Sequence, residues 1–175
     1  EYLQFCVKYL LDNNQEELEY FHAENQRQSH DKKQKQGLSL LENLTQIFQP
    51  SFKRITYEEA INICIQDELE GKVTFEKKLV WGVDMSCEHE RYLAERVFNG
   101  PVIIYNHPKE FKAFYMRLND DHKTVASMDL IVPGIGELIG GAQREERLEY
   151  LDQRMDEAKL DKDVYWWYRD LRRYG

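Results

Sequence analysis

Cysteine is scarce in this 175-residue sequence: Cys6, Cys64 and Cys87 lie far apart and form no CxxC. Three thiols cannot all pair, so a reduced, cytoplasmic setting is the better reading. Long hydrophobic runs are missing too, and nothing approaches the ~20 apolar residues of a membrane span. No cationic, apolar leader of the secretory kind opens the chain. It begins instead inside an amphipathic helix, as though cut from something longer. There is no internal repeat. Positive charge is in deficit, with 24 Lys and Arg against 32 Asp and Glu and a net charge of −8. That balance argues against a broad surface gripping nucleic acid, which normally shows a basic patch. What is present, 42% hydrophobic and 32% charged residues, suits a globular chain of one domain with a sizeable core.

Tyr2, Phe5, Cys6, Tyr9 and Leu10, then Leu18 and Phe21, recur at helical spacing and predict one or two helices up to about Ala23. Residues 24–37, rich in Gln, Lys, Asp and Ser, read as a solvated helix end and linker. The Lys32-Lys33-Gln34-Lys35 run there has acidic flanks and is read as a solvated face. Leu40, Leu41, Leu44, Ile47 and Phe48 form another stripe, stopped by Pro50. A short strand over 52–55 precedes Thr56-Tyr57-Glu58-Glu59, a capping box opening a helix that ends near Gly71. Ser86 reads as a second N-cap. Val102–Tyr105 is a strand, and 114–118 and 124–132 flank a turn at Asn119–His122. A further strand is expected over 137–141, a helix from Gln143 to about Ala158, and a last helix from about Asp163 to the C-terminus. Helices in front and adjacent antiparallel strands behind give an α+β architecture. Residues 1–75 are the mainly helical part, and 76–175 hold the sheet hairpin and the C-terminal helices.

The chemistry concentrates in Asp129 to Arg144. Asp129 sits inside Met128-Asp129-Leu130-Ile131-Val132, and Glu137 inside Ile135-Gly136-Glu137-Leu138-Ile139. A buried, unpaired carboxylate costs several kcal/mol, roughly, so such acids take a cation or hydrogen-bond partners. The cation is either a metal–phosphate ligand or a nearby arginine. Gly140-Gly141 removes side chains where a ligand or another backbone approaches; a plain β-bulge is the alternative. Cys87, Glu88, His89 and Glu90 are consecutive on a helix and do not converge on one ion, so they read as cap and surface.

These runs resemble the class II aminoacyl-tRNA synthetases of the aspartyl/asparaginyl branch, and within it the asparaginyl-tRNA synthetases. Besides Asp129 to Arg144, the resemblance rests on Trp81-Gly82-Val83-Asp84, Ser86 to Leu93, Lys112 to Asp120, and Tyr165-Trp166-Trp167-Tyr168 leading to Leu171-Arg172-Arg173-Tyr174-Gly175. It covers nearly the whole chain and is weakest over 24–37. It implies part of a class II catalytic domain, an antiparallel sheet flanked by helices with the active site on one face. The implied reaction activates asparagine with ATP and magnesium, then passes the acyl group to tRNA(Asn). The resemblance also implies a homodimer when full length. The phosphate-binding arginines and the dimer-interface motif would lie outside residues 1–175, so the chain alone is expected to be inactive.

By the same resemblance Glu137 and Asp129 hold magnesium–ATP, and Arg144 forks onto the substrate α-carboxylate. Gly140 stands where aspartyl relatives often have serine, and Tyr115 and Arg117 border the amino acid pocket. Tyr115 in a sheet is equally a core residue. Aspartyl relatives have one residue fewer between the two acids, an added length expected in the 133–136 turn. The Tyr165–Tyr168 aromatics are expected to pack the last helix onto the sheet. Three other readings remain at this stage: a paralogue making asparagine from aspartate, an aspartate-specific synthetase, and a synthetase-like module without activity.

Overall fold

The computed structural model describes residues 1–31, 40–47 and 52–175. The elements run in order α1 (Tyr2–Asn13), α2 (Gln15–Asp31), α3 (Leu40–Ile47), β1 (Lys53–Thr56), α4 (Tyr57–Leu69) and α5 (Cys87–Tyr92). A π-helical turn, Leu93–Val97, continues α5. Then come β2 (Val102–Pro108), β3 (Thr124–Val132), β4 (Gly136–Ala142), α6 (Leu148–Glu157) and α7 (Trp166–Arg173).

The four strands form one sheet in the order β1-β2-β3-β4. β2, β3 and β4 are antiparallel, as expected, and β1 adds to the β2 edge in parallel. Alternation along β3 divides the core into two layers, because successive side chains point to opposite faces. Leu130 and Val132 pack with Val7 of α1 and Ile47 of α3. Ile131 points the other way and joins Val102, Ile104, Ile55 and the buried side chains Tyr57, Ala60, Ile61 and Cys64 at the start of α4. Thus β1 and α4, which the sequence places in the helical 1–75 part, share one core with β2 and β3. Asp129 lies two residues before Ile131 and therefore faces the α4–α5 side. All three cysteines are free, and burial pushes the Cys64 thiol up to about 12.

The helix starts follow local chemistry. Thr56 Oγ1 accepts from the Glu59 amide at 3.1 Å, while the Thr56 amide donates to Glu59 Oε2 at 2.7 Å. This is the reciprocal box read from the sequence. At α5 the box is closed by histidine: Ser86 N–H donates to His89 Nδ1 at 3.1 Å. Gly136, at φ +95°, turns the chain into β4 in a conformation that L side chains rarely adopt.

Glu24–Asp31, within the stretch read as a solvated helix end and linker, is the end of α2; Lys32–Lys35, Phe48 and Pro50 lie outside the described residues. Three expectations need correction. Residues 114–118 make only isolated bridges, Leu118 to Val125 and Met116 to Arg144. The helix expected from Gln143 starts five residues later. Gln143 and Glu145 spend their backbone groups on Arg117, Ala126 and Tyr115 instead. The Glu145 carboxylate is fully buried and takes the Leu118 amide and the Arg147 guanidinium. Finally, Trp166 and Trp167 are exposed and do not reach the sheet. Tyr165 and Tyr168, three apart on the inner side, meet Phe114 edge-on.

Replacing Thr56 by alanine should cost about 1 kcal/mol of stability, read as a lowered urea midpoint with unchanged slope. A midpoint equal to wild type would mean the box is not holding α4.

Candidate functional site

The β3–β4 ladder builds the site. Asp129 pairs with Gly140, and Leu130 with Ile139, but Ile131 pairs with Glu137. One extra residue, Leu138, therefore sits within β4 and not in the turn before it. An inserted residue of this kind turns the following side chains onto the other face. Consequently Glu137 and Gly140, three residues apart, both lie on the Asp129 face. A Cβ placed on Gly140 would stand 2.4 Å from Glu137 Oε1 and 3.4 Å from Asp129 Oδ1. Two carboxylate oxygens thus converge on a spot that only the absent side chain keeps open.

The other Asp129 oxygen is taken. Lys112 Nζ donates to Oδ2 at 2.8 Å, and His107 Nε2 lies 3.2 Å from the same atom. His107 is buried in the sheet, and that burial lowers its pKa to about 4 against the pull of Asp129. A neutral ring facing a carboxylate that only accepts must carry its proton on Nε2. Nδ1 then accepts from the Ser127 hydroxyl at 2.8 Å.

Glu90 is the acid that the sequence reading assigned to the surface. It comes off α5 toward β4, and burial together with Glu137, Asp129 and Asp84 raises its pKa to about 7. Its neighbours on α5 do hold local structure. His89 is buried, and its Nε2 donates to the Lys77 carbonyl at 3.0 Å. Glu88 accepts from the amides of Glu76 and Lys77. Cap and surface therefore fails for Glu90, because the turn-by-turn phase of so short a helix does not reveal what lies across from it.

Arg144 follows β4 and is bridged to Met116. Its guanidinium lies over the Tyr115 ring, 4.6 Å from the centroid, a stacking that keeps the planar fork in place. Among the described residues no carboxylate pairs with Arg144. Arg117 is committed elsewhere, its Nε 3.1 Å from Glu146 Oε1. The structure therefore brings Asp129, Glu137 and Gly140 together, sets Tyr115 under Arg144, and turns Arg117 to a surface ion pair. Lys112, His107 and Glu90 are the participants that local sequence patterns did not mark.

Among the described residues no group of three or more His, Cys, Asp or Glu forms a metal cage. Magnesium does not need one, since it commonly takes one or two carboxylates and completes its shell with water and phosphate oxygens. The Asp129–Glu137 pair at Gly140 fits that requirement. An open cleft of about 500 Å³, lined by Thr56, Glu58, Trp81, Asn106, Asp121, Lys123 and Thr124, contains neither acid. Concavity alone does not locate this chemistry.

The site is thus an open sheet face with two acids, a side-chain-free strand position and an arginine braced by a tyrosine. The model of the class II tRNA synthetases (D, K and N) matches residues 4–175, and the chain belongs to that family. Within it, the chain is similar to asparagine–tRNA ligases. It is 49% identical to the chloroplastic/mitochondrial protein of Arabidopsis thaliana, over 99% of this chain and 28% of that one. It is also 49% identical to the enzyme of Acetivibrio thermocellus, over 99% of this chain and 34% of that one. The asparaginyl-tRNA synthetase of Pyrococcus horikoshii, solved with asparaginyl-adenylate, superposes with a TM-score of 0.75 at 34% identity. That match covers 98% of this chain and 34% of the other. The chain thus spans about a third of the length of its relatives. Among the described residues no helix is long and apolar enough to cross a membrane.

Glu90 yields a signed pH test. Its carboxyl binds a proton more tightly folded (about 7) than at its ordinary 4.5. Its contribution is therefore most favourable below pH ~4.5 and is lost as pH rises through about 7. Glu90→Gln removes that loss, so the thermal midpoint of the variant relative to wild type should rise between pH 5 and pH 8. A difference that stays flat across that window would contradict the assignment.

Proposed function

We propose that this chain is the amino-acid and magnesium side of an asparagine–tRNA ligase, which activates asparagine with ATP and transfers it to tRNA(Asn). The convergence of Asp129 and Glu137 on the open Gly140 position carries the reading. The longer protein then acts in the cytoplasm as a homodimer. Its tRNA contacts lie largely on other parts, in keeping with the acidic balance of these residues.

Activation is an in-line attack of the asparagine carboxylate on the α-phosphate of ATP, forming the acyl-adenylate as the α–β phosphoanhydride bond breaks and pyrophosphate leaves. Positioning and charge neutralisation dominate such a step. Glu137 and Asp129 would hold magnesium, which would supply positive charge to steady the phosphates. Gly140 leaves room for the reactants against the sheet. Arg144 receives asparagine through its planar fork, held ready by Tyr115, and a lysine cannot reproduce that geometry. Glu90, protonated for part of the time near neutral pH, avoids adding a full negative charge beside the two metal-binding acids.

Two variants of the full-length protein test the proposal. Glu137→Gln should abolish asparagine-dependent pyrophosphate exchange without lowering the melting temperature, because Glu137 is exposed and holds no core contact. Near-normal exchange would remove Glu137 from the site. Arg144→Lys should weaken use of asparagine at least ~10-fold, about 1.4 kcal/mol, and leave ATP affinity little changed. Equal weakening of both substrates would assign Arg144 to the nucleotide or the fold.

A further inference from the structure

Lys112 is a cation standing inside the acid group. Glu137, Asp129 and Asp84 all act on the charge of Glu90, and Lys112 acts on it with the opposite sign. The Lys112 and Asp129 side chains keep only 17% and 13% of their exposure. Solvent and salt therefore screen this pair less than a surface contact. Its ammonium also lies 5.7 Å from the Phe111 ring centroid, a second hold on its position. Asp129 Oδ2 is saturated by Lys112 and by the neutral His107, and Oδ1 is the oxygen turned to Gly140 and Glu137.

We propose that Lys112 is a resident counter-ion that keeps Asp129 and Glu137 from holding a divalent cation until the nucleotide arrives with it. The inference rests on the magnesium reading above. Two opposing effects decide the sign. Lys112 steadies Asp129, which helps a metal. It also puts a unit charge within about 7 Å of any ion on Oδ1, which costs on the order of tenfold in affinity even at the dielectric of water and more in a half-buried site. Repulsion is the larger effect for a bare ion. For a metal carried by ATP it is offset, because the phosphates bring negative charge that attracts the ammonium as well as the metal. The arrangement makes metal uptake conditional on nucleotide, and it spares an empty acid cluster from collecting stray cations.

The test is Mn²⁺ binding to the full-length protein, followed by electron paramagnetic resonance, first with Mn²⁺ alone and then with Mn²⁺ and ATP. Wild type should bind bare Mn²⁺ weakly and Mn²⁺ with ATP well. Lys112→Met should tighten bare Mn²⁺ by about tenfold or more, with a much smaller change in the presence of ATP. Lys112→Arg, which keeps the charge, should behave as wild type. Lys112→Gln covers the case of a Met variant that does not fold, and should show the same tightening. Unchanged or weaker binding of bare Mn²⁺ in the folded Met or Gln variant overturns the role of Lys112 while leaving the metal site standing. Failure of wild type to bind Mn²⁺ with ATP, or unaltered binding in Glu137→Gln, overturns the metal reading and this inference together.

Discussion

The register between β3 and β4 is the constraint on which the polar architecture depends. With Leu138 taken up inside the ladder, Glu137 and Gly140 share a face with Asp129. In an unbroken ladder, residues three apart lie on opposite faces. Glu137 would then point away from Asp129, and the gap at Gly140 would have an acid on one side only. The ladder is held in place by the apolar residues around it. Leu130 and Val132 lock one face onto α1 and α3, and Ile131 locks the other onto the α4 layer. A slip of one residue would turn Asp129 toward the apolar α1–α3 side and unpack both layers at once.

Charge organises the next level. Asp129 and Glu137 share a face and Glu90 comes toward them from α5, and the structure relieves their repulsion in two ways. Lys112 neutralises Asp129 directly, and Glu90 holds its proton to near neutral pH. His107 contributes geometry without charge, because burial keeps its ring neutral while Nε2–H fixes one oxygen of Asp129. Glu145 does a different job. Fully buried, it takes the Leu118 amide and the Arg147 guanidinium, and so fastens the 115–118 segment to the start of α6. Glu145 is thus satisfied wholly by protein partners, whereas Asp129 keeps one oxygen turned to the gap at Gly140.

Much of this was legible in the amino-acid sequence. Capping chemistry at Thr56 and Glu59, the strands read at 102–105 and 124–132, and the paired acids around two glycines are local patterns written in consecutive residues. The misreadings share a physical cause. Gln143–Arg147 has helix-compatible composition, but its backbone groups find partners in the 115–117 and 126 segments, far away in sequence. Trp166 and Trp167 look like core residues by type, yet the inner side of α7 belongs to Tyr165 and Tyr168. Propensity weighs a residue by its neighbours in the chain, and these outcomes were decided by neighbours in space.

By itself the sequence determined which groups are available: two carboxylates in apolar strands, a gap at Gly140, an arginine after the last strand, and the family to which those runs belong. Only the tertiary structure decided how they are used. It assigned Oδ2 of Asp129 to Lys112 and His107 and Oδ1 to Glu137, carried Glu90 from an ordinary helix into the acid group, and paired Arg117 with Glu146 instead of the site. The reason is that charge interactions act over distances of a few ångströms between atoms that the chain separates by tens of residues. No local pattern carries that information until the sheet register brings those atoms together.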